Sequence, residues 1–213
     1  MKTRSFVLAA LLVTLIGAGP AGPTLAKATH QDAVAMWHPQ TGLAGPVDAR
    51  ATATLVRRDG GVTFTLNTTH LRAGHAYTVW FVVVNNPAAC SASPCSAADI
   101  LQNDATEAQV TYGAGHISGG SGRGSFAGSF ATGPISGWLP DRMLSNPLGA
   151  EVQLVLNDHG PKSTAFMPGM IQTYRAGCTD ASLPPIFPPS ARADGEPGPN
   201  ACQLYQMAVF AGS

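Results

Sequence analysis

Six histidines (His30, His38, His70, His75, His116 and His159) and four cysteines (Cys90, Cys95, Cys178 and Cys202) are the residues of this chain best suited to hold a metal or move a proton. Their spacing narrows the chemistry. A copper–zinc site of the dismutase kind needs a His-x-His pair, and no two histidines here flank a single residue. A blue-copper site groups Cys, His and Met on one loop, and no His lies just downstream of any Cys. His70 and His75 would face one way only on a helix, whereas Leu71-Arg72-Ala73-Gly74 reads as a turn. The metal set that remains is His159, Asp158, His75 and His116, for copper or zinc, and it needs the fold to assemble it.

Asp158-His159 raises a second possibility, because an imidazole backed by a carboxylate is the arrangement of a general base. Asn157-Asp158-His159-Gly160-Pro161 follows one apolar strand and Asn85-Asn86-Pro87 follows another. Asn85, Asn86, Asp158 and His159 therefore form a candidate ligand site, provided both strand ends reach the same end of the fold. The plainer reading is turn chemistry, with short polar side chains satisfying loop backbone. No nucleophile accompanies the pair: Gly-x-Ser-x-Gly is absent, since Arg123 takes the last position around Ser121. Gly122-x-Gly124-x-x-Ala127 mimics a dinucleotide fingerprint, but strand pattern continues through Phe126 and Phe130 where that motif needs a helix. No catalytic residue is assigned.

These side chains belong to an exported chain. Lys2 and Arg4 precede an apolar stretch, Phe6 to Ala18, that is too short to span a bilayer and suits a signal core. Small residues at Thr24-Leu25-Ala26 and Ala26-Lys27-Ala28 offer cleavage points, so residues 1–26 are expected to be a signal peptide. No later segment is apolar for ~18 residues, so no membrane span is expected after cleavage. The implied location is secreted or periplasmic. An even number of cysteines there implies disulfides, and of three possible pairings the local one, Cys90–Cys95 with Cys178–Cys202, is the simplest. A four-thiolate zinc site would need close knuckle pairs that these spacings lack. Lys plus Arg equals Asp plus Glu at 12 each, which gives no electrostatic footprint for nucleic acid.

Alternation positions the candidate residues. Val62, Phe64 and Leu66 mark the inward face of a hairpin that turns at Asp59-Gly60-Gly61. Ala76 to Val84 is apolar on both faces, as in a central strand, and Asn85-Asn86-Pro87 ends it. Further strands are expected at Arg50 to Arg57, Ala108 to Ser118, Arg123 to Thr132, Glu151 to Asn157 and Cys202 to Phe210. A helical turn is expected at Ala97 to Leu101 and a short helix at Met167 to Arg175, and residues 178–201 read as a Pro-rich surface segment. Residues 27–49 show no sustained period and read as an N-terminal arm before a single domain, 50–213. The fold class is an all-β antiparallel sandwich, Greek-key, with about seven strands and long Pro/Gly-rich loops; an up-and-down barrel is the alternative.

His75-Ala76-Tyr77-Thr78-Val79-Trp80, Asn85-Asn86-Pro87, Gly149-Ala150-Glu151-Val152 and Asp158-His159-Gly160-Pro161 resemble segments of exported bacterial proteins without assigned activity. The rhythm of Ala51–Leu66, Leu71-x-x-Gly74 and Gly122–Phe130 is remotely similar to chordin-type (CHRD) domains, which are β-sandwich modules. Such domains usually carry a His-x-His after the L-x-x-G turn, where this chain has Tyr77-Thr78-Val79-Trp80. The resemblance implies a fold and no activity. The expected function is that of a non-catalytic binding or structural module of the cell envelope, without a cofactor. The alternative is a metal-binding protein or metal-dependent enzyme using His159 and Asp158.

Overall fold

A computed structural model of the chain describes residues 28–212. The expected signal peptide, 1–26, lies outside them. The described strands are β1 (Thr29–Val34), β2 (Met36–Trp37), β3 (Thr52–Arg58), β4 (Gly61–Thr68), β5 (His75–Val84), β6 (Ala108–Ile117), β7 (Gly124–Ala131), β8 (Gly133–Pro134), β9 (Met143–Leu144), β10 (Glu151–Pro161) and β11 (Gln203–Phe210). One sheet has the order β1-β3-β4-β7 and the facing sheet β2-β11-β10-β5-β6, while β8 and β9 pair separately. Every pairing is antiparallel. Strand β7 lies beside β4 after β5 and β6 have crossed to the other sheet, which is a Greek-key return. The chain is therefore an all-β antiparallel sandwich, with more strands than the seven expected.

The interior follows from period two. In β4, Val62, Phe64 and Leu66 are buried while Thr63 and Thr65 are only partly covered. Phe64 stacks on Phe81 at 5.9 Å between ring centroids, and glycines make room for it. A Cβ at Gly128 would sit 2.5 Å from the Phe64 ring and one at Gly113 would sit 2.9 Å from it, so neither position tolerates a side chain without displacing that ring. Strand β5 is buried on both faces: Tyr77, Val79, Phe81 and Val83 enter the sandwich, and Trp80, Val82 and Val84 enter a second apolar layer outside it.

That outer layer is made by loops. Both expected disulfides form, Cys90–Cys95 and Cys178–Cys202. The helical turn after Cys95 is α1 (Ala97–Gln102), started by a capping box in which Ser96 and Asp99 bond each other's backbone.

Three expectations are corrected. Residues 27–49 are not merely an arm: β1 extends one sheet by pairing with β3, and β2 extends the other by pairing with β11. As an edge strand, β1 buries Thr29, Gln31 and Ala33 only in part, so its alternation lacks the large apolar residues that make a period visible. Met167 to Arg175 forms a short 3-10 turn, Gly169–Ile171, because Pro168 and Gly169 oppose a longer helix. The 178–201 segment also buries Leu183, Phe187 and Ala191 against the five-stranded sheet, so it is a cover as well as a surface.

Candidate functional site

The two strand ends that carry Asn85-Asn86 and Asp158-His159 belong to adjacent strands running in opposite directions. Val84 pairs with Glu151, and Tyr77 pairs with Asp158. Eight residues from Tyr77 at about 3.3 Å each put Asn85 roughly 26 Å from Asp158, at the other end of the sandwich. The expected cluster of Asn85, Asn86, Asp158 and His159 is therefore overturned. Asn85 instead serves the loops beside it: its Nδ2 donates to the carbonyls of Glu107 and Met143, and its Oδ1 accepts from the amides of Ser145 and Asn146. Asn86 donates to the Ala105 carbonyl.

Asp158 and His159 are also parted by the pleat, since neighbouring residues of a strand face opposite ways. Asp158 turns to the interior end of the sandwich, where the imidazole it orients is that of His75. The His75 Nδ1–H meets its carboxylate at 2.9 Å, the Gly160 amide donates at 2.8 Å, and the Tyr77 hydroxyl donates at 3.3 Å. Arg72 lies 3.5 Å away and over the Tyr205 ring. Burial, with the nearby Asp158 charge, raises the Tyr77 phenol above its usual range. This cluster closes one end of the interior.

His159 points the other way and is fully buried. Its Nδ1–H donates to the Ala176 carbonyl at 3.0 Å, which leaves Nε2 to accept from Thr78 Oγ1 at 2.8 Å and from Asn157 Nδ2 at 3.2 Å. Thr78 can donate because its own oxygen accepts from the Trp80 indole at 2.9 Å. Burial holds the His159 pKa down to about 4, so the ring is neutral and both nitrogens are engaged.

Metal ligation is tested by the same contacts. Of His159, Asp158, His75 and His116, the fold joins only His75 to Asp158. His159 lies on the opposite face of the sheet, and His116 is separated from Asp158 by Tyr77, with its ring edge-on to Phe126. Donor atoms of His159, Cys178 and Cys202 do lie within 4.8 Å of one another. Both sulfurs are bonded to each other, however, and Nδ1 spends its proton on a carbonyl. The donors present do not fit a copper or zinc centre in this oxidised state.

The outer face of the five-stranded sheet holds a site that the sequence did not announce. A cavity of about 340 Å³ lies between the sheet and its loop cover. Val82, Val155, Leu204 and Met207 form its floor, and Pro94, Ile100 and Leu101 stand on one side. Trp80, Trp138, Tyr174 and Phe187 form an aromatic wall, with Trp138 centred 4.8 Å from Trp80, 4.9 Å from Tyr174 and 5.0 Å from Phe187. The Pro94 side is pinned to the floor: the buried Glu151 carboxylate accepts the Cys95 amide, and Gln153 Nε2 donates to the Cys95 carbonyl. The aromatic side is tied down by Cys178–Cys202 and by Ala176 on His159. His159 thus acts as a strut beneath the cover.

Among the described residues the Trp138 indole N–H is buried without a partner and the Tyr174 hydroxyl makes no hydrogen bond, and two further polar groups of the lining, on His38 and Gln153, keep capacity to spare. His38 Nδ1 accepts from the Gln40 amide, so its proton resides on Nε2, and burial holds its pKa down to about 4. Gln153 spends its Nε2 on Cys95 and Glu151, while its Oε1 accepts no bond among the described residues. The available sequence signal was Trp138 and Phe187, large aromatics in loops otherwise rich in Pro, Gly and Ser. Comparison with protein-family models, curated proteins and solved structures finds no match to this chain.

Proposed function

We propose that this chain is an exported, non-catalytic binding module that holds a small apolar molecule in the cavity on the outer face of the five-stranded sheet. The observation that carries the reading is the cavity itself. Its 340 Å³ falls within the ~300–1,000 Å³ range of small-molecule sites, its lining is mainly apolar and aromatic, and a few fixed polar groups accompany it. Two disulfides support the exported location. Among the described residues no helix is long and apolar enough to cross a membrane. Support for a non-catalytic role comes from placement, because the His75–Asp158 pair occupies the interior end of the sandwich and cannot reach a ligand lying on the outer face.

A neutral fluorescent hydrocarbon amine, N-phenyl-1-naphthylamine, tests the reading. Its emission should rise on titration to one site per chain. The rise should disappear in Val155→Trp, which fills the floor, while the far-ultraviolet dichroism stays that of the parent. A parent protein that leaves the emission unchanged would contradict the proposal.

A further inference from the structure

We infer that the cavity selects an uncharged aromatic molecule of about a dozen non-hydrogen atoms bearing a carbonyl-type acceptor, which the Nε2–H of His38 receives. This rests on the cavity being a binding site, and it adds the class of ligand. Size comes first. A dry cavity of ~150 Å³ takes benzene, so 340 Å³ has room for roughly twice that molecule, a bicyclic ring with a short substituent. Shape follows from the wall, where the rings of Trp138, Tyr174 and Phe187 offer faces and edges to a planar partner.

Charge is decided by what lines the site. No Asp, Glu, Lys or Arg is among its lining residues, so an ionised ligand would lose its water with no counter-charge in return. Glu151 approaches only through Cys95 and Gln153, and its Oε1 is occupied by both. Beside the Trp138 indole N–H and the Tyr174 hydroxyl of the aromatic wall, His38 is the donor whose state a neighbour fixes. Gln40 holds one ring nitrogen as an acceptor, which fixes the other as a donor, and a neutral donor matches a neutral carbonyl oxygen. Gln153 Oε1 offers the complementary acceptor to a ligand N–H or O–H, and a ligand lacking one forfeits only that contact.

Three naphthalenes of equal size separate the requirements: 2-acetylnaphthalene with the acceptor, 2-isopropenylnaphthalene without it, and 2-naphthoate with a charge. Titrated against the whole mature protein by isothermal calorimetry, the ketone should bind roughly 3–10-fold more tightly than the hydrocarbon, the ordinary yield of one hydrogen bond. Naphthoate should bind at least 10-fold more weakly than the ketone. In His38→Phe the preference for ketone over hydrocarbon should vanish. His38→Asn, which keeps an acceptor for the Gln40 amide, should lose the same preference and decides the matter if His38→Phe misfolds. Equal binding of ketone and hydrocarbon, tightest binding of naphthoate, or a preference that survives both variants would overturn the inference while leaving the cavity reading intact. Failure of all three, together with no response to N-phenyl-1-naphthylamine, would remove the cavity reading itself.

Discussion

The two faces of the five-stranded sheet are both buried, yet they are buried by different means. The inner face meets a second sheet, and its apolar residues from β5 and β10 share one core with inward residues of β3, β4 and β7. That interior fills: Phe64 lies over Gly128 and Gly113 and stacks on Phe81, leaving no room for a Cβ at either glycine. The outer face meets loops, whose side chains are not bound to a strand repeat. Two disulfides, the buried Glu151 and the His159 strut hold those loops in place, and the fit leaves a cavity. Strand against strand makes a scaffold; loop against strand leaves room for a ligand.

The comparison can be broken first at the interior. Phe64→Ala removes a fully buried aromatic and should destabilise the protein by about 3–5 kcal/mol in chemical denaturation. Replacement of Cys178 and Cys202 together by Ser should cost about 3 kcal/mol, since the bridge spans 24 residues. It should also abolish N-phenyl-1-naphthylamine binding at denaturant concentrations where the protein remains folded by far-ultraviolet dichroism. If binding persisted with the bridge gone, the cover would not depend on it.

The strut gives a pH signature. His159 is held neutral in the folded state, with a pKa near 4 against 6.5 when unfolded. Unfolding therefore takes up a proton as pH falls below about 6.5, and the stability contributed by the neutral ring is complete above that value and lost progressively down to about 4. The His159 share of the loss between pH 7 and pH 4 should reach up to about 3 kcal/mol, and His159→Gln should remove that share while the one His38 contributes across the same range remains. Urea midpoints across that range measure both. An unchanged slope in the variant would assign the acid sensitivity to another group.

The smallest effect is expected at the far strand end. Asn86→Ala removes one exposed bond to the Ala105 carbonyl and should shift stability by no more than about 0.5–1 kcal/mol. Asn85→Ala, which leaves the amides of Ser145 and Asn146 and the carbonyls of Glu107 and Met143 without their partner, should cost about 1–3 kcal/mol. Equal costs would mean that both residues are ordinary turn positions.

What was legible in the sequence follows the same division. Val62, Phe64 and Leu66 declare their face because a strand imposes period two, and the long apolar run of β5 declares a strand buried on both sides. Both disulfides were legible from the even number of cysteines and their separations, given the export that residues 1–26 lead one to expect. Edge strand β1 was not, because its inward residues are Thr29, Gln31 and Ala33. The candidate site failed for a physical reason: Asp158 and His159 are neighbours in sequence and for that reason face apart. His75, which Asp158 does orient, stands 83 positions away and is brought near by the β5–β10 register. The cavity was illegible because His38, Trp80, Ile100, Trp138, Gln153 and Phe187 come from six separate stretches that no local pattern links.

Amide and indole chemical-shift mapping with 2-acetylnaphthalene bears most directly on the division of labour between the two faces. The account predicts saturable shifts of the Trp138 indole N–H, the Gln153 side-chain amide and the backbone of Ile100 and Leu101, with Val62 to Leu66 on the four-stranded sheet unmoved. Shifts centred on His75 and Asp158, or on the four-stranded sheet with the outer-face cavity silent, would contradict it.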